Sequence, residues 1–132
     1  LLDRIDLQIE CSNVKFNDLA KMQPGEPSCD IRARVVAARE IQTRRFADYK
    51  GVYCNAQMNE RLIRTHVQLA ADAMNVLKTA MEKFNLSARA YSRILKVART
   101  IADLDKSETV EKHHIQEAVL YRSLDRNYWG EY

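Results

Sequence analysis

The stretch NLSARAYSRILKVARTIADLD, residues 85–105, decides how the chain is read. At about 100° per residue, Tyr91, Ile94, Leu95, Ala98, Ile101 and Ala102 gather on one side, the spacing of a helix laid against a core. Arg89, Arg93, Lys96 and Thr100 gather on the other. Ser87 is a good helix cap, so a helix is expected from about Ala88 to Leu104. Arg89 then falls in the first turn, where the positive end of the macrodipole disfavours a cation. On the residues alone two readings stay open. The arginine joins free backbone N–H groups in gripping a phosphate, or it is an exposed side chain with its charge held out in water.

Working outward, apolar residues at helical spacing predict four more helices. Ser28 is expected to cap one running to about Phe46, with Ile31, Val35, Ala38 and Ile41 as its apolar stripe and Arg32, Arg39 and Arg44 turned away. Asn59 caps a short one through about His66. A third spans roughly residues 70–84, carrying Ala73, Val76, Leu77, Ala80, Met81 and Phe84. The last runs from about Glu111 to Tyr121, with Ile115, Ala118 and Val119 inward. Residues 47–58 read as a loop broken by Gly51, and residues 11–27, with Pro24, Gly25 and Pro27, as a connector. At the start, Ile5, Leu7 and Ile9 alternate with Asp6, Gln8 and Glu10, the period of a half-buried strand. A lone strand is unstable in water, so its partners are expected upstream of this chain; if residues 5–10 are ordered here, they should borrow a partner from another copy or fold against the helices. The expected fold is mostly α, a small antiparallel helical bundle preceded by one short orphan strand and a linker.

Composition agrees. The chain has 132 residues, enough for one domain with a real core. Only three glycines and two prolines favour long helices over tight turns. A net charge of +3 is compatible with nucleic acid without pointing to it. Cys11, Cys29 and Cys54 form an odd set without a C-x-x-C pair, which argues against a disulfide framework or zinc knuckle. They read as small buried apolar groups in a protein of the reducing cytoplasm. No apolar run approaches the roughly 20 residues of a membrane span. With no initiator Met and a pattern that starts at once, the chain reads as a piece of a longer protein.

With glycines only at positions 25, 51 and 130, no phosphate-cradling loop can be built, and this chain alone is not expected to be an enzyme. His113 and His114, with Glu117 four residues after His113, tempt a metal assignment. Two ligands on one helix without an identifiable third make no site, so none is assigned. The competing reading packs His114 and leaves His113 wet. Arg4, just after Asp3 and before the expected strand, has no evident packing role.

LLDRIDLQIE (1–10), CNAQM (54–58), LSARAYSRILKVARTIADLD (86–105) and HIQEAVLYRSLDR (114–126) together resemble the C-terminal part of the magnesium-chelatase-like AAA+ ATPases, the YifB/ComM competence-protein family. The departures are mild. Cys11-Ser12 follow Glu10 where relatives continue with an apolar residue and proline, and Ser92 replaces a commonly acidic residue. The resemblance implies that residues 1–27 are the end of the AAA+ core plus a linker, residues 28–126 the α-helical lid, and residues 127–132 a tail outside it. It implies that Arg4 is the arginine finger, acting on a neighbour's nucleotide, and that Arg89 is the sensor-2 arginine that reports the γ-phosphate of ATP, in cis or in trans. ATP and Mg²⁺ would belong to the full-length parent, with none bound to this piece. Its partners would be the AAA+ core of the same or a neighbouring subunit, a homo-hexamer of the full-length protein, and DNA. No tetrapyrrole site is visible, so the implied activity is ATP-driven DNA remodelling or branch migration rather than porphyrin metallation. The alternative is a free-standing helical nucleic-acid-binding module using the arginines of residues 32–45 and 89–99. A lesser reading is an oligomerisation element.

Overall fold

The computed structural model describes residues 4–122. Residues 123–126, the end of the expected lid, and the expected tail at 127–132 lie outside the described residues, as do residues 1–3. The elements are α1 (Phe16–Ala20), α2 (Ser28–Arg45), a 3₁₀ turn (Asn55–Gln57), α3 (Glu60–His66), α4 (Ala71–Lys83), α5 (Ala88–Leu104) and α6 (Lys112–Leu120). The chain is mostly α, and the helices form a small bundle.

Helix α5 is its axis, packing against α2, α3, α6 and the 3₁₀ turn, while α4 packs on α6. Ile94, Leu95, Ala98 and Ala102 of α5 are buried, as are Ala73, Leu77 and Ala80 of α4 and Ile115 and Ala118 of α6. Around them close Phe46, Met58, Leu62, Ile63 and Val67. Burial of large side chains such as Ile94 and Leu77 stabilises the bundle by about 2 kcal/mol each. One isolated parallel bridge, Leu69 to Val110, ties the α3–α4 connection to the α5–α6 connection.

The helix ends follow local chemistry. The side chain of Asn59 accepts from Leu62 N–H at 3.0 Å, and that of Ser87 from Ala90 N–H at 3.2 Å, so both expected caps are in place. Helices α4 and α5 end in the same way. Leu86 N–H reaches Met81 O and Asn85 N–H reaches Glu82 O; Ser107 N–H reaches Ala102 O and Lys106 N–H reaches Asp103 O. These are paired Schellman bonds, and they put Asn85 (φ 45°) and Lys106 (φ 56°) in the left-handed region. In a chain so poor in glycine, asparagine and lysine take the glycine role.

Several expectations are corrected. Pro27, not Ser28, is the N-cap of α2, and Ser28 is its first residue. The stripe of α2 is buried only toward its end. Ala38 is inside, whereas Ile31 and Val35 are 43% and 47% exposed. The connector contains a helical turn, α1, that buries none of its residues. Cys11 and Cys29 are exposed and Cys54 half-buried, so the cysteines are not core groups. Residues 5–10 form no ladder. They fold against the bundle, one of the two expected alternatives, with Gln8 N–H donating to Tyr121 O at 2.8 Å and Arg122 Nη1 to Ile5 O at 2.9 Å. The expected alternation of burial is absent: Gln8 is half-buried, and Ile5, Leu7 and Ile9 are exposed like Asp6 and Glu10. Gln8 N–H and Ile5 O find their partners at the end of α6 rather than in a neighbouring strand.

Candidate functional site

The two ends of α5 carry different chemistry. At its N-terminus, Arg89 lies exposed in the first turn behind the Ser87 cap, and that turn holds no acidic residue. Cation and helix dipole therefore add rather than cancel, a local arrangement that favours an anion. One turn on, Arg93 pairs with Asp6 of the N-terminal arm. Lys96 donates to Ala56 O at 3.1 Å. Arg4 is exposed, two residues before Asp6.

Between the arm and helices α5 and α6 lies a cleft of about 690 Å³, walled by Leu7 and Ile9 on one side and by Val97, Ile101 and Leu104 on another. Lys96, Asp105, His113 and Glu117 stand on its rim. Neither Arg4 nor Arg89 lines it.

At the other end of α5, Asp103 is 1% exposed and receives three partners. Arg45 closes on it through two bonds, Nη1 to Oδ2 at 2.8 Å and Nη2 to Oδ1 at 2.5 Å. Arg99 reaches Oδ1 through Nε at 3.2 Å, and Asn55 Nδ2 donates to Oδ2 at 2.8 Å. Asn55 also accepts from Arg45 Nη1, donates to Thr100 Oγ1, and has its backbone N–H held by Gln42 Oε1. The second cation is offset by carbonyl oxygens, since Arg99 also donates to Ser107 O and Glu108 O in the turn after α5. Burial pushes the Arg99 guanidinium below its usual value; Asp103 opposes that shift and Arg45 adds to it. The network joins α2, the 3₁₀ turn, α5 and the α5–α6 turn through one carboxylate. Sequence reasoning missed it. The available signal was a charged i, i+4 pair, Arg99 and Asp103, set within the stripe formed by Leu95, Ala98 and Ala102.

Asp105, His113 and His114 offer three ligand-type atoms within 4.8 Å of one another. Their hydrogen bonds do not suit a metal. His114 Nδ1 accepts Glu111 N–H at 2.9 Å, so Nε2 carries the hydrogen and donates to Asp105 Oδ2 at 2.8 Å. A ligating imidazole turns a lone pair to the metal and donates from its other nitrogen, the reverse of this arrangement. His114 is fully buried and completes the cap of α6, whereas His113 is exposed. Glu117 accepts from Tyr121 Oη at 2.7 Å. Hydrogen bonds from His114 and then His113 hold the Asp105 carboxyl below its ordinary value. Near Phe46, burial and then Arg45 and Arg99 lower the pKa of His66, whose Nε2 lies 3.1 Å from Tyr49 Oη. Among the described residues, no helix is long and apolar enough to cross a membrane.

Fold and site together define an all-helical domain organised on one central helix, with an arginine at its open end and an ion network at its closed end. Residues 25–122 match the family described as magnesium chelatase, subunit ChlI C-terminal, and the chain belongs to that family of magnesium-chelatase-like AAA+ proteins. It is 40% identical over 126 residues to the uncharacterized protein YifB of Escherichia coli (strain K12), covering 95% of this chain and 24% of that protein. Competence protein ComM of Haemophilus influenzae is 38% identical over the same shares. An uncharacterized protein of Mycobacterium tuberculosis (strain H37Rv) is 34% identical over 104 residues, 79% of this chain and 20% of that protein. The chain thus spans about a quarter or less of the length of these relatives.

Proposed function

We propose that the chain is the sensing lid of an AAA+ motor, coupling ATP binding and hydrolysis to movement within a hexameric ring that remodels DNA. The observation that carries this reading is the opening of α5. Arg89 is exposed behind the Ser87 cap, no acid shares its turn, and this stands in a domain of the magnesium chelatase C-terminal family. The donor set suits a phosphate: a guanidinium beside the N-terminal N–H groups of a 17-residue helix. Arg89 is the sensor-2 group and would hold the γ-phosphate of ATP·Mg²⁺. Arg4 is the arginine finger, presented by the arm to the nucleotide at a subunit boundary. Bound ATP·Mg²⁺ supplies the phosphoryl group, with negative charge that grows toward the transition state. The chain's part is to place cations where that charge develops. The cytoplasm, where ATP and DNA are available, is the matching compartment. A competence protein among the relatives supports DNA as the substrate.

In the full-length protein, Arg4→Ala is expected to lower steady-state ATP turnover by about 10³-fold, the scale of an arginine finger. Turnover at the wild-type rate would refute the assignment. The nucleic-acid-module reading relies on arginines of which Arg34, Arg45, Arg93 and Arg99 are already paired with Glu26, Asp103, Asp6 and Asp103. It requires DNA binding by the chain that falls steeply with salt. A binding titration at two salt concentrations separates the two, and the lid reading expects no measurable binding.

A further inference from the structure

We propose that the Asp6–Arg93 ion pair is a strut that ties the arginine-finger segment to the sensor helix, making both residues positioning residues for ATP hydrolysis. The inference rests on the lid reading above and extends it to residues with no nucleotide role of their own.

Three contacts hold the arm. Arg122, 4% exposed, donates from Nη1 to Ile5 O at 2.9 Å. Gln8 N–H donates to Tyr121 O at 2.8 Å. Both anchors come from the end of α6 and fix the arm's backbone on either side of Asp6. The Asp6 carboxylate then reaches across to Arg93 of α5. With the side chains of Arg93 and Asp6 32% and 50% exposed, such a pair adds little to stability, because water competes for both charges. Its effect is geometric. Arg93 follows Arg89 by one turn on the same face, a rise of about 6 Å along the axis. Asp6 follows Arg4 by two residues. The one side-chain ion pair between arm and α5 among the described residues therefore lies next to both arginines assigned to the phosphate. A shift of α5 as Arg89 gains or loses its phosphate is passed to the arm through this pair, and the backbone anchors on α6 serve as the pivot.

The test uses the full-length protein and four measurements: kcat and KM for ATP, the unfolding midpoint, and rescue. Asp6→Asn and Arg93→Gln are each expected to lower kcat by about tenfold to a hundredfold, as small misplacements of reacting groups do. The KM for ATP should stay within about twofold, since neither residue touches the nucleotide. The unfolding midpoint should not move. The exchanged pair Asp6→Arg with Arg93→Asp should recover most of the lost kcat. Unchanged kcat in the single variants overturns the strut, and so does failure of the exchanged pair to recover. A fall in midpoint that parallels the fall in kcat also overturns it, because the pair would then act through folding. Arg4→Ala and Arg89→Ala run alongside as controls. If they abolish turnover while the Asp6 and Arg93 variants do not change it, the strut alone fails. If they leave turnover intact, the lid reading fails and the strut with it.

Discussion

Helix α5 carries arginines at both ends, and the two ends behave oppositely. Arg99, in the second half, is 2% exposed and tied to Asp103, Ser107 O and Glu108 O. Arg89, in the first turn, is exposed, behind a serine cap, and that turn contains no acidic residue. Both are arginines on a well-capped helix in the same domain, so residue type does not separate them. What separates them is burial. At the closed end the chain supplies a buried carboxylate, Asp103, and draws Arg45 and Asn55 onto it from 58 and 48 residues away. At the open end, the lid reading assigns that role to a phosphate. A buried guanidinium that lost its partner would be severely destabilising, whereas an exposed one can exchange partners at little cost.

The largest expected effect is at the closed end. Asp103→Ala leaves the buried Arg99 and the half-buried Arg45 without their counter-charge and should cost about 3–5 kcal/mol in a urea unfolding titration. A loss below about 1 kcal/mol would mean that the network is incidental. Asn55→Ala removes the hub's hydrogen bonds but no charge, and should cost less, about 1–3 kcal/mol. A value equal to that of Asp103→Ala would show that geometry rather than charge holds the closed end.

The next effect is pH dependence. His66 has a depressed pKa in the fold, so its contribution to stability is complete above its unfolded value near 6.5 and is lost as pH falls below that. Unfolding midpoints from pH 7.5 to 5.5 should therefore decline more steeply for the wild type than for His66→Phe. Parallel profiles would count against the lowering of the His66 pKa by burial and by the two arginines. Asp105 acts lower on the scale. Its carboxyl is also depressed, so its contribution is present above about 3.9 and disappears as pH falls further.

The smallest expected effect concerns the turn after α5. Lys106 adopts φ 56°, a conformation that costs a side chain with a Cβ roughly 1 kcal/mol. Lys106→Gly should raise stability by about 0.5 kcal/mol after the added freedom of the unfolded chain is counted. A loss of stability would show that the lysine side chain contributes something beyond the turn.

How far the sequence discloses this architecture follows the same division. Helices α3 to α6 were readable to within a residue or two, because their apolar spacing and the caps at Asn59 and Ser87 agree. Arg89 was singled out because it opposes the dipole, a local property that needs no partner. Arg99 and Asp103 escaped, since an i, i+4 pair looks the same on a wet face as in a core. Only Arg45 and Asn55, distant in sequence, decide between them. The arm misled for a related reason. Ile5, Leu7 and Ile9 alternate as a strand does, but alternation does not say what the strand pairs with. Here the hydrogen bonds go to the end of α6 and the apolar side chains remain exposed. The helical turn α1 buries nothing and so left no periodic signal.

The open end of α5 is tested most directly by the steady-state ATP turnover of Arg89→Ala in the full-length protein. A fall of about a hundredfold, the cost of removing one group that stabilises developing charge, is the expected result. Turnover equal to wild type would mean that the arginine at the head of α5 reads no phosphate.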